Sequence, residues 1–513
     1  MAAHHVENSH VDEIEESRPL LGLPTETEDS PDKPLIITHR TRSSWPWIHV
    51  VLLLLGLAII SDIGEDLFTA PRIRLFESIA CTNYYSRHDP SLLDPDGSVP
   101  ERFCKVDPVQ SKVASVLGWQ LFFDSIPAIL LPVPYGYIAD TYGRKWVLVF
   151  ALTGYALTWA STLFFVGGLK LPLEYVWLSS LFSLIGGGGA TGTTLLTTMV
   201  ADVVPPEFRS TVFFYRFCTD QVADVFVPPI ASYLMSQNVW IPLLLAVLFG
   251  GLAAMIALTL PETLPIAVPS PPNHVDDSVA SGANDSESID QSKHSSIKWK
   301  DKIQRARESF EFVTRDLTVL ALVSSFFISK VGRQANNVLF QYASKKYNWT
   351  IAQAGLLISL RASVTITLFA VILPVIMNFA FSGLSPPSRD LWVGKASVIL
   401  LVLGAFILFL SQTVFLMITG LIVFILGMGF VPIIRSLVTY LVESHHASNT
   451  SDIGRLYALI SVMEGLGSLV AGPGMAWAFR LGMRLGDWWL GLPFGLAALL
   501  FLAVSIVVFS IRI

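Results

Sequence analysis

Twelve separate runs of mostly apolar residues, each close to the length of a membrane crossing, occupy most of this chain. A helix needs about 20 such residues to cross the hydrocarbon of a bilayer. The runs lie near 46–68, 113–136, 146–166, 173–199, 210–235, 239–260, 317–341, 351–376, 394–411, 414–441, 454–479 and 486–511. Their spacing is six plus six. This predicts an all-α integral membrane protein of twelve transmembrane helices in two six-helix pseudo-repeat bundles, 46–260 and 317–513. A disordered cytoplasmic tail, 1–45, precedes them, and a largely disordered cytoplasmic linker, 261–316, joins them.

Composition supports that reading. Charged residues make up 14% of the chain and hydrophobic residues 52%, with mean hydropathy +0.57; soluble chains average about 25% charged. So little charge cannot cover a water-facing surface. The net charge of −6 is concentrated outside the apolar runs: residues 1–44 carry nine acids and four bases, and residues 262–316 ten acids and seven bases. What remains is nearly neutral, which excludes a nucleic-acid partner. The linker opens on five prolines, Pro261 to Pro272, and a Ser/Asp/Asn-rich run too poor in apolar residues to fold. Its basic end, Lys298 to Arg307, is either solvated or a surface helix against an anionic leaflet.

Lys and Arg in short loops set orientation. Arg40, Arg42, Arg144, Lys145, Arg209, Arg389, Lys395 and Arg455 fall on one side, and Lys170, Lys345, Lys346, Arg480 and Arg484 on the other. The bias places both termini in the cytoplasm. Cys81 and Cys104 then share the external loop after the first span, where an oxidising compartment favours a disulfide. Asn348-Trp-Thr350 becomes an external glycosylation sequon. No cysteine or histidine cluster offers a metal site, and no cofactor is expected.

The strongest motif is the loop between the second and third spans, Gly136-Tyr-Ile-Ala-Asp140-Thr-Tyr-Gly143-Arg144-Lys145. It resembles the signature loop of the major facilitator superfamily. A weak internal repeat accompanies it: Arg209 opens the fifth span and Pro228 follows, as Arg455 opens the eleventh and Pro473 follows. Such repeats are common in transporters. Pro432-Ile-Ile-Arg435-Ser436, Leu441-Val-Glu443 and the external cysteine pair are similar to the proton-coupled folate transporter and haem carrier branch. Fungal members of that kind are similar at Arg74 to Tyr85, Leu339 to Tyr342 and Gln353 to Arg361. The resemblance implies the major facilitator fold and, through the fungal members, export of a secondary metabolite or drug-like compound.

Charges inside the apolar runs are the next constraint, since one at the bilayer centre costs ~2.5–3.5 kcal/mol even on lenient scales. Asp62, Glu65, Asp66, Asp124, Arg216, Asp220 and Asp224 lie in the first half, and Lys330, Arg333, Arg361, Arg435 and Glu464 in the second. In the superfamily fold all twelve sit on spans that line or flank the central cavity. Arg361, Arg333 and Lys330 are the expected substrate-binding residues. Asp220, Asp224, Asp124 and Glu464 are the expected proton-coupling residues, because a carboxyl in an apolar cavity titrates nearer neutrality. The competing reading makes these charges static ion pairs between the halves. Gly136, Asp140, Gly143, Arg144, Lys145, Arg209, Arg435 and Arg455 are the expected loop and gating residues. The Gly186–Gly189 run and the threonines after it suit close helix packing.

The function expected is secondary active, proton-coupled export of a small organic molecule by a monomer in the plasma membrane, with a vacuolar or endosomal membrane as the alternative. Proton-coupled uptake of a folate-like organic anion and a non-transporting membrane sensor are the competing readings. No Walker loop, HExxH or GxSxG motif points to an enzyme.

Overall fold

Each of the twelve expected crossings is met by helix, and among the described residues there is no strand. The computed structural model describes residues 47–264 except Asp96, and 317–376, 386–445 and 450–511. The expected tail and nearly all of the linker lie outside these residues.

The first half comprises α1 (Trp47–His88), α2 (Asp107–Leu130), α3 (Pro132–Tyr142), α4 (Arg144–Leu163), α5 (Gly188–Val203), α6 (Arg209–Gln237) and α7 (Trp240–Ala257). The second comprises α8 (Leu317–Arg333), α9 (Leu339–Tyr347), α10 (Ile351–Thr367), α11 (Pro386–Leu410), α12 (Val414–Leu426), α13 (Phe430–His445), α14 (Thr450–Leu485) and α15 (Leu492–Ser510). Among the described residues, nine helical stretches are individually long and apolar enough to cross a membrane. The other three crossings have visible reasons for falling short. The fourth is broken, the fifth carries Arg216, Asp220 and Asp224, and the α-helical part of the seventh, α8, has only 17 residues. Large apolar side chains such as Leu248, Leu499 and Ile506 stand exposed on the outer faces, as lipid contact requires.

Two elements differ from the sequence expectation. α1 does not end near residue 68 but continues through Pro71 for 42 residues. At ~1.5 Å per residue that is about 63 Å, roughly twice the hydrocarbon thickness. Burial explains the extension: Ile73, Phe76, Ala80 and Cys81 pack with Val99, Val109 and Val113 in one apolar cluster. The fourth span, expected as one helix over 173–199, is a 3₁₀ helix, Leu173–Leu184, followed by α5. Gly186, Gly187 and Gly188 all have positive φ (72°, 82° and 62°), a conformation that ends a right-handed helix. The run still serves close approach, since a Cβ on Gly186 would sit 2.1 Å from the backbone nitrogen of Ala151.

The halves meet mainly through two helix pairs, α2 with α14 and α6 with α10. In span order these are the second with the eleventh and the fifth with the eighth. Adding six to each member of one pair, cyclically, gives the other, which is the contact pattern of a two-fold pseudo-repeat. At the first crossing a Cβ on Gly118 would lie 2.7 Å from the Gly472 carbonyl oxygen, so only glycine lets the backbones approach.

The second half has one large apolar core. The first has two, one built on Val50 to Ala58 and the other on Leu67 to Tyr85 along α1. Between them runs a polar belt, and it defines the site.

Candidate functional site

The belt is made by side chains that several helices deliver to one cavity. α1 contributes Asp62, Glu65, Asp66 and Arg72, α2 contributes Gln120 and Asp124, and α6 contributes Arg216, Asp220 and Asp224. From the second half, α10 adds Arg361. Together they line a cavity of about 590 Å³ between the halves. A second chamber of about 500 Å³ adjoins it inside the first half, sharing Asp62, Glu65, Arg72, Gln120, Asp124 and Arg216.

Most of these charges are partnered. Arg361 Nη2 donates to Asp224 Oδ2 at 3.1 Å, an ion pair that joins the halves through the cavity. Arg216 pairs with Asp220 one turn on and with Asp62 at 3.4 Å. Asp124 accepts from Gln120 Nε2 (3.0 Å) and from the Ser180 hydroxyl. Glu65 and Tyr155 both line the adjoining chamber. Asp66 differs. It is 8% exposed, lies beside Asp224, and among the described residues its Oδ2 has no hydrogen-bond partner.

The second-half charges form a separate group. Glu464 accepts from Arg435 at 3.1 Å and pairs with Arg333 at 3.5 Å. Lys330 packs beside Gly467 near the same carboxylate. None of Lys330, Arg333, Arg435 and Glu464 lines the 590 Å³ cavity, whereas Arg361, Asp124, Asp220 and Asp224 do. The expected site residues therefore divide into a cavity set and an ion cluster beside it.

One end of the molecule is closed by contacts between the halves. Lys345 pairs with Asp107 and donates to the Lys105 carbonyl at 2.8 Å. Glu101 accepts from the Ile351 amide at 2.7 Å, and Arg480 Nε donates to Ser111 at 2.9 Å. Beneath them Glu77, 1% exposed, is held by Lys105 at 2.8 Å, Arg74 at 3.2 Å and Gln110 at 2.6 Å. The Cys81–Cys104 disulfide, as expected, ties α1 to the turn that carries Glu101 and Lys105.

Residues 113–472 of this framework match the Major Facilitator Superfamily. The chain belongs to the major facilitator superfamily. It is 37% identical to the MFS efflux pump atnC of Emericella nidulans over 493 residues, which covers 95% of this chain and 93% of that one. It is 29% identical to the efflux pump ustT of Aspergillus flavus, covering 91% and 89%. Among solved structures it resembles the nucleoside transporter NupG (TM-score 0.60, 14% identity, 89% of this chain and 99% of that chain). The human organic anion transporter MFSD10 is also similar (TM-score 0.54, 17% identity, 91% and 100%). At those identities the structures share the fold alone.

The superfamily's signature loop lies at the end opposite the disulfide. Arg144 bonds Asp140 at 3.2 Å and also pairs with Asp202 at the end of α5. Burial pushes the Asp202 carboxyl above its ordinary range while Arg144 pulls it back. Gly143 has φ 114°, and a Cβ there would lie 2.5 Å from Glu262 Oε2. That carboxylate caps the next helix, accepting from the amides of Arg144 (2.9 Å) and Lys145 (3.3 Å). Gly136 meets open space and Arg209 is exposed; the side chain of Arg455 lies outside the described residues. At this end the polar contacts among the described residues stay within one half.

Sequence reasoning did not single out Arg72, Gln120, Tyr155, Glu262, Glu101 or Lys105, and met Glu77 only within the Arg74 to Tyr85 resemblance. For Arg72 a signal existed: it follows an apolar run by only four residues. Glu262 carried none, because the partners that tie it to the signature loop are backbone amides 118 and 117 residues away. Asn348, the sequon residue, is exposed in the short turn between α9 and α10 with φ 55°. The next helix is capped by Thr350 and Gln353.

Proposed function

We propose that this multi-pass membrane protein is a proton-coupled exporter of a small organic molecule. The observation that carries the reading is the polar belt. A cavity between two pseudo-repeated halves, lined by several carboxyls and crossed by the Asp224–Arg361 ion pair, suits alternating access. Protonating Asp224 removes the charge that holds Arg361, so proton binding and movement of the halves become one event. Asp220 and Asp124 are the further proton carriers in this reading. Arg361 faces the cargo as well as Asp224, with 42% of its side chain exposed. Arg333, Lys330 and Glu464 act beside the cavity as a brace, with Arg435 as their partner.

Direction is taken from the relatives named as efflux pumps over nearly the whole chain. The protein works as a monomer in the plasma membrane, with its termini and signature loop in the cytoplasm and a glycan at Asn348. Its place beside the proton-coupled folate and haem carrier branch rests on Pro432 to Ser436 and the cysteine pair.

The test uses inside-out vesicles from cells producing the full chain, given a pH gradient and a pool of host metabolites. At least one solute should accumulate in wild-type vesicles and not in Asp224→Asn vesicles. Equal depletion of every solute by both, or by empty vesicles, would overturn the proposal.

A further inference from the structure

The cavity is not balanced in charge. Six carboxyls line it against three guanidiniums. Two of the three are committed, Arg361 to Asp224 and Arg216 to Asp62 and Asp220. The third, Arg72, lies over the Phe68 ring at 5.3 Å with Asp124 and Glu65 nearby. Only Arg72, whose Nε has no hydrogen-bond partner among the described residues, could take an anion without displacing a carboxylate, and that anion would enter a lining in which carboxyls outnumber guanidiniums two to one. A cation meets the opposite situation, because Asp66 is nine-tenths buried, lines the cavity and has an unpartnered Oδ2 among the described residues. The adjoining chamber adds aromatic surface: Phe68 stacks on Trp159 at 5.5 Å, and Tyr155 lies tilted against Trp159 at 4.6 Å.

We propose that the cavity selects an organic cation, a molecule bearing a protonated amine or quaternary nitrogen, and holds that charge at Asp66, with the aromatic wall of the adjoining chamber left to the rest of the molecule. The proposal rests on the export reading and names its cargo class. Buried negative charge in excess must be neutralised, either by protons or by the cargo. Two ligands competing for the same charge is the condition that exchange of one for the other requires. The charged groups facing Asp66 are Glu65 on its own helix, Asp224 on α6 and Arg361 on α10. Two of these are acids, so removing Arg361 deepens the site's negative charge and removing Asp66 reduces it.

The purified full chain in detergent tests this with two fluorescent probes of similar size, ethidium as the cation and fluorescein as the anion. Ethidium should bind, fluorescein should neither bind nor compete, and ethidium binding should weaken on acidification, because protons compete with the cation for the same carboxyls. Asp66→Asn should weaken ethidium by about tenfold or more, the order expected when one close charge contact is lost. Arg361→Gln, which leaves the Asp224 carboxyl without its guanidinium partner, should bind ethidium more tightly than wild type. A merely structural role would weaken both variants together. Fluorescein binding as tightly as ethidium would overturn the proposal, as would an Asp66→Asn protein of unchanged elution and melting temperature that binds ethidium like wild type. If that variant does not fold, the cation-against-anion preference and pH trend of wild type decide. Proteoliposomes separate the two readings. A pH gradient that moves fluorescein and not ethidium sinks the cation class and keeps the transporter. Asp66-dependent binding with no gradient-driven flux of ethidium or of any metabolite sinks the transporter and keeps the site.

Discussion

Asp224 and Arg361 show how one pair can be both brace and switch. Removing one partner leaves the other charged in a poorly solvated cavity, while removing both does not. A fully buried pair broken this way costs ~3–5 kcal/mol. With 42% of the Arg361 side chain exposed, solvent screening reduces this to about 1–2 kcal/mol. Asp224→Asn and Arg361→Gln should each lower the melting temperature, and the double variant should recover part of the loss in a thermal double-mutant cycle. Strict additivity would mean the pair contributes nothing. Sequence reading found both residues, because a charge in an apolar run is conspicuous. It could not pair them, since they lie 137 positions apart on different halves. It also expected Arg333 and Lys330 to share the cavity with Arg361. Depth along a helix was legible, but the face each helix turns inward was not, and that face sends Arg333 to Glu464 instead.

Helices were legible as apolar runs, and their interruptions were not. The break at Gly186–Gly188 has the same hydropathy as an unbroken helix and is visible only through its positive φ angles. Alanine at Gly186 would combine ~1–2 kcal/mol of backbone strain with a Cβ placed against the Ala151 backbone. Gly186→Ala should therefore sharply reduce the monodisperse fraction on size exclusion, whereas Gly251→Ala, where a Cβ meets nothing within 4 Å, should not. The outer part of α1 depends on a different constraint. The Cys81–Cys104 bond spans 23 positions, and closing a loop of that length stabilises by about 3 kcal/mol in the chain-entropy account. Cys81→Ser and wild type under reductant should show the same lowered melting temperature. A reductant effect persisting in Cys81→Ser would assign the loss elsewhere.

The six-plus-six order could be read from the sequence, since bilayer thickness and loop charge leave few alternatives, and membership of the superfamily through the resemblance of the Gly136–Lys145 loop to its signature. Closure at the disulfide end could not, because it is built from a lysine and an aspartate 238 positions apart and from backbone groups. Those contacts must separate if the cavity is to open there. Asp107→Lys should repel Lys345 and favour that opening, read as faster labelling of a cysteine placed at Asn336 on the cavity wall by a membrane-impermeant thiol reagent. Unchanged labelling would mean that the contact does not control access.

The central claim is that protons and solute move through one charged cavity as a single coupled process. The most direct measurement is simultaneous flux in proteoliposomes, with a pH-sensitive dye inside and the vesicle-accumulated solute supplied outside. Adding solute to wild-type vesicles without a pre-set gradient should shift the internal pH, at a fixed ratio of protons to solute, and Asp224→Asn should abolish the proton movement. Solute movement that leaves the internal pH unchanged in wild type, or a proton signal of undiminished size in Asp224→Asn, would contradict the account.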